Sequence, residues 1–118
     1  MASVRAFIQQ LQLIKRTLLI HTLLSKDYIV SEQKIQASII KYLESKGAYV
    51  VKVVTASKKG VPDIIACYKG QFVGIEVKRP ETKTNVSPLQ SYNLKKIEEA
   101  GGLSFVAWDL AQVKSVIL

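Results

Sequence analysis

GVPDIIACYKGQFVGIEVKRP, residues 60–80, is the stretch that decides the fold. Apolar residues alternate on both sides of Lys69-Gly70, the pattern of two strands joined by a tight turn. A two-residue turn sets Tyr68 opposite Gln71. Pairing outward from there sets Asp63 opposite Glu76, and residues directly opposed share one face of a sheet. Lys78 lies two residues beyond Glu76 and points to that same face. The hairpin therefore gathers two carboxylates and one amine. Like charges set opposite each other in a sheet destabilise it, and a hard divalent cation held by one or two carboxylates would relieve the repulsion. Taken singly, each residue also has a plain structural account: Asp63 as a turn residue after Pro62, Glu76 and Lys78 as the solvent-facing positions of an edge strand.

The 118 residues are 48% hydrophobic with a mean hydropathy of +0.16, enough apolar material for one globular domain with a real core. Seventeen Lys and Arg against nine Asp and Glu give a net charge of +8, which suits a polyanionic partner such as nucleic acid or an anionic membrane surface. The single cysteine, Cys67, is unable to form an internal disulfide and reads as a small core hydrophobe in a reducing compartment. His21 stands alone in an apolar run and receives no catalytic role. No Cys or His cluster has zinc spacing.

Residues 2–25 carry no acidic group, and Val4, Phe7, Ile8, Leu11, Ile14 and Leu18 fall at helical spacing. The run TLLIHTLL, residues 17–24, is too short to cross a bilayer. This segment reads as a helix packed on the domain or pairing with another chain, with a membrane-surface helix as the third option. The chain divides accordingly into an N-terminal helical extension, 1–26, and a main domain, 27–118.

Ser31 can cap a helix that runs to about Lys46 and stops at Gly47. Glu32, Ile35, Ile39 and Leu43 share its apolar stripe, which aims the Glu32 carboxylate at whatever the helix packs on. A first-turn glutamate also complements the helix dipole without any further role. Residues 48–55, AYVVKVVT, form a strand. Lys58 and Lys59 follow in a small basic loop suited to a phosphate backbone, or simply to solvent. After Pro80 an aperiodic loop carries Lys83. Ser87, Pro88 and Gln90 make a helix start with a capping box. Gln90 shares a stripe with Leu94 and Ile97, so it could face the sheet as well. LSFVAW, residues 103–108, is another strand, and Asp109 with Gln112 opens a last helix through a second capping box. Tyr92 and Trp108 read as core aromatics.

Gly60-Val61-Pro62-Asp63, Glu76-Val77-Lys78, Ser87-Pro88-Leu89-Gln90 and Ala100-Gly101-Gly102 resemble, in that order, the PD-(D/E)XK nuclease superfamily, and more narrowly its VRR-NUC (virus-type replication-repair nuclease) domains. The resemblance spans residues 31–118 and implies an α/β/α sandwich of restriction-endonuclease type around a mixed central sheet, with the N-terminal helix as an addition. It implies that Asp63, Glu76 and the Val77 carbonyl hold Mg²⁺ or Mn²⁺, that Lys78 orients or activates the attacking water, and that Glu32 and Gln90 support the site from the flanking helices. Lys58, Lys59, Arg79 and Lys83 are then the expected DNA contacts. The activity implied is metal-dependent, structure-selective endonucleolytic cleavage of branched DNA such as four-way junctions, by a homodimer in the cytoplasm, or the host's if viral, with no small-molecule cofactor and no membrane association. A restriction-like or flap nuclease is the alternative within enzymes, and a non-catalytic basic nucleic-acid-binding module the alternative outside them.

Overall fold

The computed structural model describes residues 4–16 and 31–118; the predicted run 17–24, with His21, lies outside them. The chain divides into two units, Met1–Val30 and Ser31–Leu118. In the first, residues 4–16 form a helix, α1, on which Phe7, Ile8, Leu11 and Ile14 are exposed. Among the described residues no helix is long and apolar enough to cross a membrane.

The second unit begins with α2 (Glu32–Ser45), capped by Ser31, whose side chain accepts from the Lys34 N–H, and closed by Gly47 at φ +85°. Strand β1 (Tyr49–Lys52) is shorter than its β-branched sequence predicts, because Val53 continues the pairing only through a single hydrogen bond to the Asp63 carbonyl. Strands β2 (Ile64–Tyr68) and β3 (Gln71–Val77) form the predicted hairpin. Lys69 and Gly70 both have positive φ, 50° and 76°, the signature of a type I′ turn. The turn fixes Tyr68 opposite Gln71 and Ile64 opposite Ile75. A 3₁₀ turn (Pro80–Thr82) interrupts the following loop, and α3 (Pro88–Glu99) carries the chain over to β4 (Leu103–Ala107), which pairs parallel to β3. The sheet order is β1-β2-β3-β4, with β1 and β2 antiparallel to their neighbours, so the sheet is mixed. Helix α4 (Leu110–Val116) ends the fold.

One face of the sheet, Ile64, Ala66, Val73, Ile75, Val77 and Ala107, packs on Ile35, Ile39 and Leu43 of α2 and on Val113 and Ile117. Each buried valine, leucine or isoleucine side chain among them contributes about 1.5–3 kcal/mol. The opposite face belongs to α3, whose Ile97 lies against Gly74 together with Pro62. The result is the expected α/β/α sandwich. Cys67 departs from its predicted place in the core and is exposed. Strand alternation turns it to the α3 face, at an end that α3 leaves open, where its partners Phe72 and Tyr49 are exposed too. Tyr92 is likewise exposed on the outside of α3, and Trp108 is half-buried.

Candidate active site

Asp63 stands where β2 begins, one residue before the paired ladder. Its backbone carbonyl binds the Val53 N–H, and its side-chain Oδ2 accepts the Val77 N–H at 2.8 Å. The carboxylate is thus fixed across the end of β3, beside the Glu76 side chain that the register sets opposite it. Lys78 extends the β3–β4 pairing by donating its N–H to the Ala107 carbonyl, which fixes the root of its side chain. Its ammonium lies 3.8 Å from Glu76 Oε1.

Gln90 reaches the same oxygen from α3. Its Nε2 donates to Glu76 Oε1 at 2.8 Å, while its own Oε1 accepts the Ser87 N–H at 2.9 Å and its N–H donates to Ser87 Oγ. The capping box and the inward contact, readable as alternatives in the sequence, are made by one side chain. The second predicted box forms only by half. Asp109 accepts the Gln112 N–H, but the Gln112 side chain reaches past the cap, accepting from the Trp108 N–H and donating to the Val106 carbonyl. Its length lets it tie α4 to the end of β4 instead.

Glu76 is 3% exposed. Burial first, then the charge of Asp63 and a hydrogen bond with it, push its carboxyl up from an ordinary 4.5 to about 8; Lys78 pulls the other way, and Glu32 adds the smallest upward contribution. The structure therefore brings Asp63, Lys78 and Gln90 each to Glu76 and leaves Glu32 at the margin, felt through space. Arg79 is drawn toward Glu81 at 3.9 Å, and Lys83 lies 5.0 Å above the Trp108 ring. Lys58 and Lys59 are exposed on the loop before Gly60.

That loop is held against α3. Asn93, buried, donates to the carbonyls of Lys59 and Leu89. Gly60 has φ +80°, and a Cβ there would lie 2.8 Å from the Leu89 backbone. Only glycine tolerates both conditions, and the consequence is that the basic loop packs directly against the turn carrying Gln90.

The donor set fits a divalent cation. Two adjacent carboxylates, one of them buried and disinclined to ionise, form the kind of repulsive pair that a hard cation neutralises. Among the described residues no three acidic, His or Cys side chains converge on one point, so any further oxygens are neutral ones, the Val77 carbonyl being the predicted candidate. One polar residue that sequence reasoning passes over is also buried on this side of α2: Gln36, one turn from Glu32. Its spacing, four residues after Glu32 and three before Ile39, is the same signal that aims Glu32 inward.

The model of the family described as archaeal Holliday junction resolvase, Hjc, matches residues 32–118. The chain belongs to the Hjc family. A solved structure described as a VRR_NUC domain superposes with a TM-score of 0.63 at 26% identity, covering 73% of this chain and 92% of that one. A search of curated proteins finds no match. Membership in the Hjc family places the chain among nucleases of the PD-(D/E)XK superfamily that act on DNA junctions. The matched region begins at Glu32 and takes in Asp63, Glu76, Lys78 and Gln90.

Proposed function

We propose that the chain is a divalent-metal-dependent endonuclease that hydrolyses phosphodiester bonds in branched DNA, four-way junctions foremost, working as a homodimer so that two sites make paired nicks. The observation that carries this reading is the contact set around Glu76: a buried carboxyl with Asp63 beside it, a lysine ammonium at 3.8 Å and an amide donor at 2.8 Å.

Hydrolysis requires a nucleophile at neutral pH and stabilisation of extra negative charge on the phosphate. Asp63, Glu76 and the Val77 carbonyl would hold Mg²⁺ or Mn²⁺, which would supply an acidified water and charge neutralisation at the phosphate oxygens. The Lys78 side chain is largely shielded from solvent, 14% exposed, where a positive charge acts strongly on an attacking water or on the developing phosphate charge. Gln90 holds one Glu76 oxygen in place, leaving the carboxylate a defined orientation. Asp63 is held likewise by the Val77 N–H. Glu32 contributes from the margin of the site by adding negative charge. Lys58, Lys59, Arg79 and Lys83 hold the DNA backbone without reading bases.

The test incubates a labelled four-way junction, a flap and a linear duplex with the protein, in Mg²⁺ and in EDTA. Preferential junction cleavage in Mg²⁺ alone is expected, abolished in Lys78→Ala and Glu76→Ala. Absence of cleavage on every substrate sinks the enzymatic reading, and cleavage unchanged in both variants sinks the site assignment.

A further inference from the structure

One aromatic ring beside the site takes no part in the chemistry above. Strand β4 pairs with β3 so that Val106 lies opposite Glu76 and Ala107 opposite Val77. The bond from the Lys78 N–H to the Ala107 carbonyl carries that register one step further and sets Trp108 opposite Lys78. Ala107 is buried in the core on the α2 side. Strand alternation therefore turns Trp108 to the other face, the one that carries Glu76 and Lys78. Neighbouring strands lie about 4.8 Å apart, so the indole stands beside the lysine of the site.

Two contacts fix this corner. The Trp108 N–H donates to Gln112 Oε1 at 3.1 Å, which anchors the backbone to α4. Lys83, from the loop that follows the 3₁₀ turn, lies 5.0 Å over the ring, which is itself only half-buried. Lysines lie over Tyr42, Tyr68 and Tyr92 as well, so the pairing alone decides nothing. What sets Trp108 apart is its place at the end of the sheet where Glu76 and Lys78 meet. An indole with a cation at its face offers a nucleotide a flat apolar surface for the base and a positive charge for the phosphate. Stacking of this kind tolerates any base but needs one that has left its own stack, which costs least where the base is already unpaired.

We propose that Trp108 and Lys83 form a nucleotide subsite beside the cleavage site. The indole stacks on an unpaired base at the branch point, while the Lys83 ammonium leaves the ring for the phosphate of that nucleotide. The inference rests on the junction-nuclease reading above and gives it a source of selectivity, because a continuous duplex presents no such base.

Trp108 is the only tryptophan of the chain, so its fluorescence reports on this ring alone. The full chain is titrated in Ca²⁺ with a four-way junction, with the same junction carrying abasic positions at the crossover, and with linear duplex. The intact junction is expected to quench the emission, and the other two to leave most of it. Trp108→Leu, its fold checked by circular dichroism, is expected to bind labelled junction about tenfold more weakly, with a much smaller loss on duplex. Trp108→Phe is expected to recover most of the difference. Equal quenching by intact and abasic junctions overturns the proposal, and that comparison needs only the wild type should the leucine variant fail to fold. Junction cleavage by a wild type whose emission does not respond to junction overturns the subsite and leaves the nuclease reading standing. A wild type that neither binds nor cleaves any of these DNAs overturns both.

Discussion

Gln90 and Glu76 are joined by a 2.8 Å hydrogen bond whose donor is, through its other amide atom, half of the cap that starts α3. Orientation of the site carboxylate and initiation of the helix are one structural event. Gln90→Glu separates the two, since glutamate can still accept the Ser87 N–H but has no donor for Glu76. Helix content should be retained and junction cleavage should fall about tenfold or more. Gln90→Ala should remove both functions and reduce stability by about 1 kcal/mol as well. Denaturant melts alongside cleavage rates check the pair; equal cleavage by wild type and Gln90→Glu would show that the hydrogen bond is incidental.

The Gly60 backbone makes a second prediction. Gly60→Ala forces a side chain into a left-handed conformation and against the Leu89 backbone, costing about 1–3 kcal/mol. Because Leu89 adjoins Gln90, cleavage should fall by more than the reduced stability explains at temperatures where the variant is fully folded. A variant with wild-type melting temperature would contradict the close approach.

Metal-free stability should depend on pH with a definite sign. The folded Glu76 carboxyl titrates near 8, against an ordinary 4.5, so between these values the folded state holds a proton that the unfolded chain releases. Its contribution is fully present below 4.5 and disappears as pH rises through 8. The melting temperature of the protein in EDTA should therefore drop from about pH 5 to about pH 8.5, and this drop should be smaller in Glu76→Gln. Mg²⁺ should stabilise more at the higher pH, where no proton competes for the carboxylate. A pH profile identical in wild type and Glu76→Gln would refute the assignment.

Binding of uncleaved junction, measured in Ca²⁺ or with Glu76→Gln, should weaken steeply with salt. Removing Lys58, Lys59 or Lys83 by alanine should reduce the slope of log K against log salt by about 0.9 for each phosphate that the protein no longer neutralises. Lys83→Ala also removes the ammonium that lies over the Trp108 ring. An unaltered slope in the Lys58→Ala, Lys59→Ala double variant would exclude that loop from the DNA-binding surface.

Much of this fold is legible in the chain. Strand alternation together with Lys69-Gly70 dictates the hairpin register, because two positive φ values at a two-residue turn leave one pairing that keeps Ile64 and Ile75 inside. The Ser87 and Gln90 spacing announces the helix start. What the chain conceals is long-range. Alternation says which face of the sheet Cys67 takes, but not how far a helix extends over that face, and so it misplaces this residue in the core. The spacing of Gln112 from Asp109 indicates a cap, whereas its reach to the Val106 carbonyl depends on how α4 folds back on β4. The orphaned oxygen of Gln36 becomes visible only once its neighbours among the described residues are known to offer no donor.

The parallel neighbour of β3 has a consequence for how the molecule assembles. The β2–β3 hairpin closes through two residues, whereas pairing β3 with β4 waits for α3 to form and cross over. Contacts close in sequence form at lower entropic cost, so Asp63 meets Glu76 early in folding and Gln90 arrives late. The chain thus confronts its own electrostatic penalty with Lys78 alone to offset it, before Gln90 is in place. We expect refolding to be slower at about pH 8 than at about pH 5 in the absence of metal, and stopped-flow refolding at equal rates would refute this order of events.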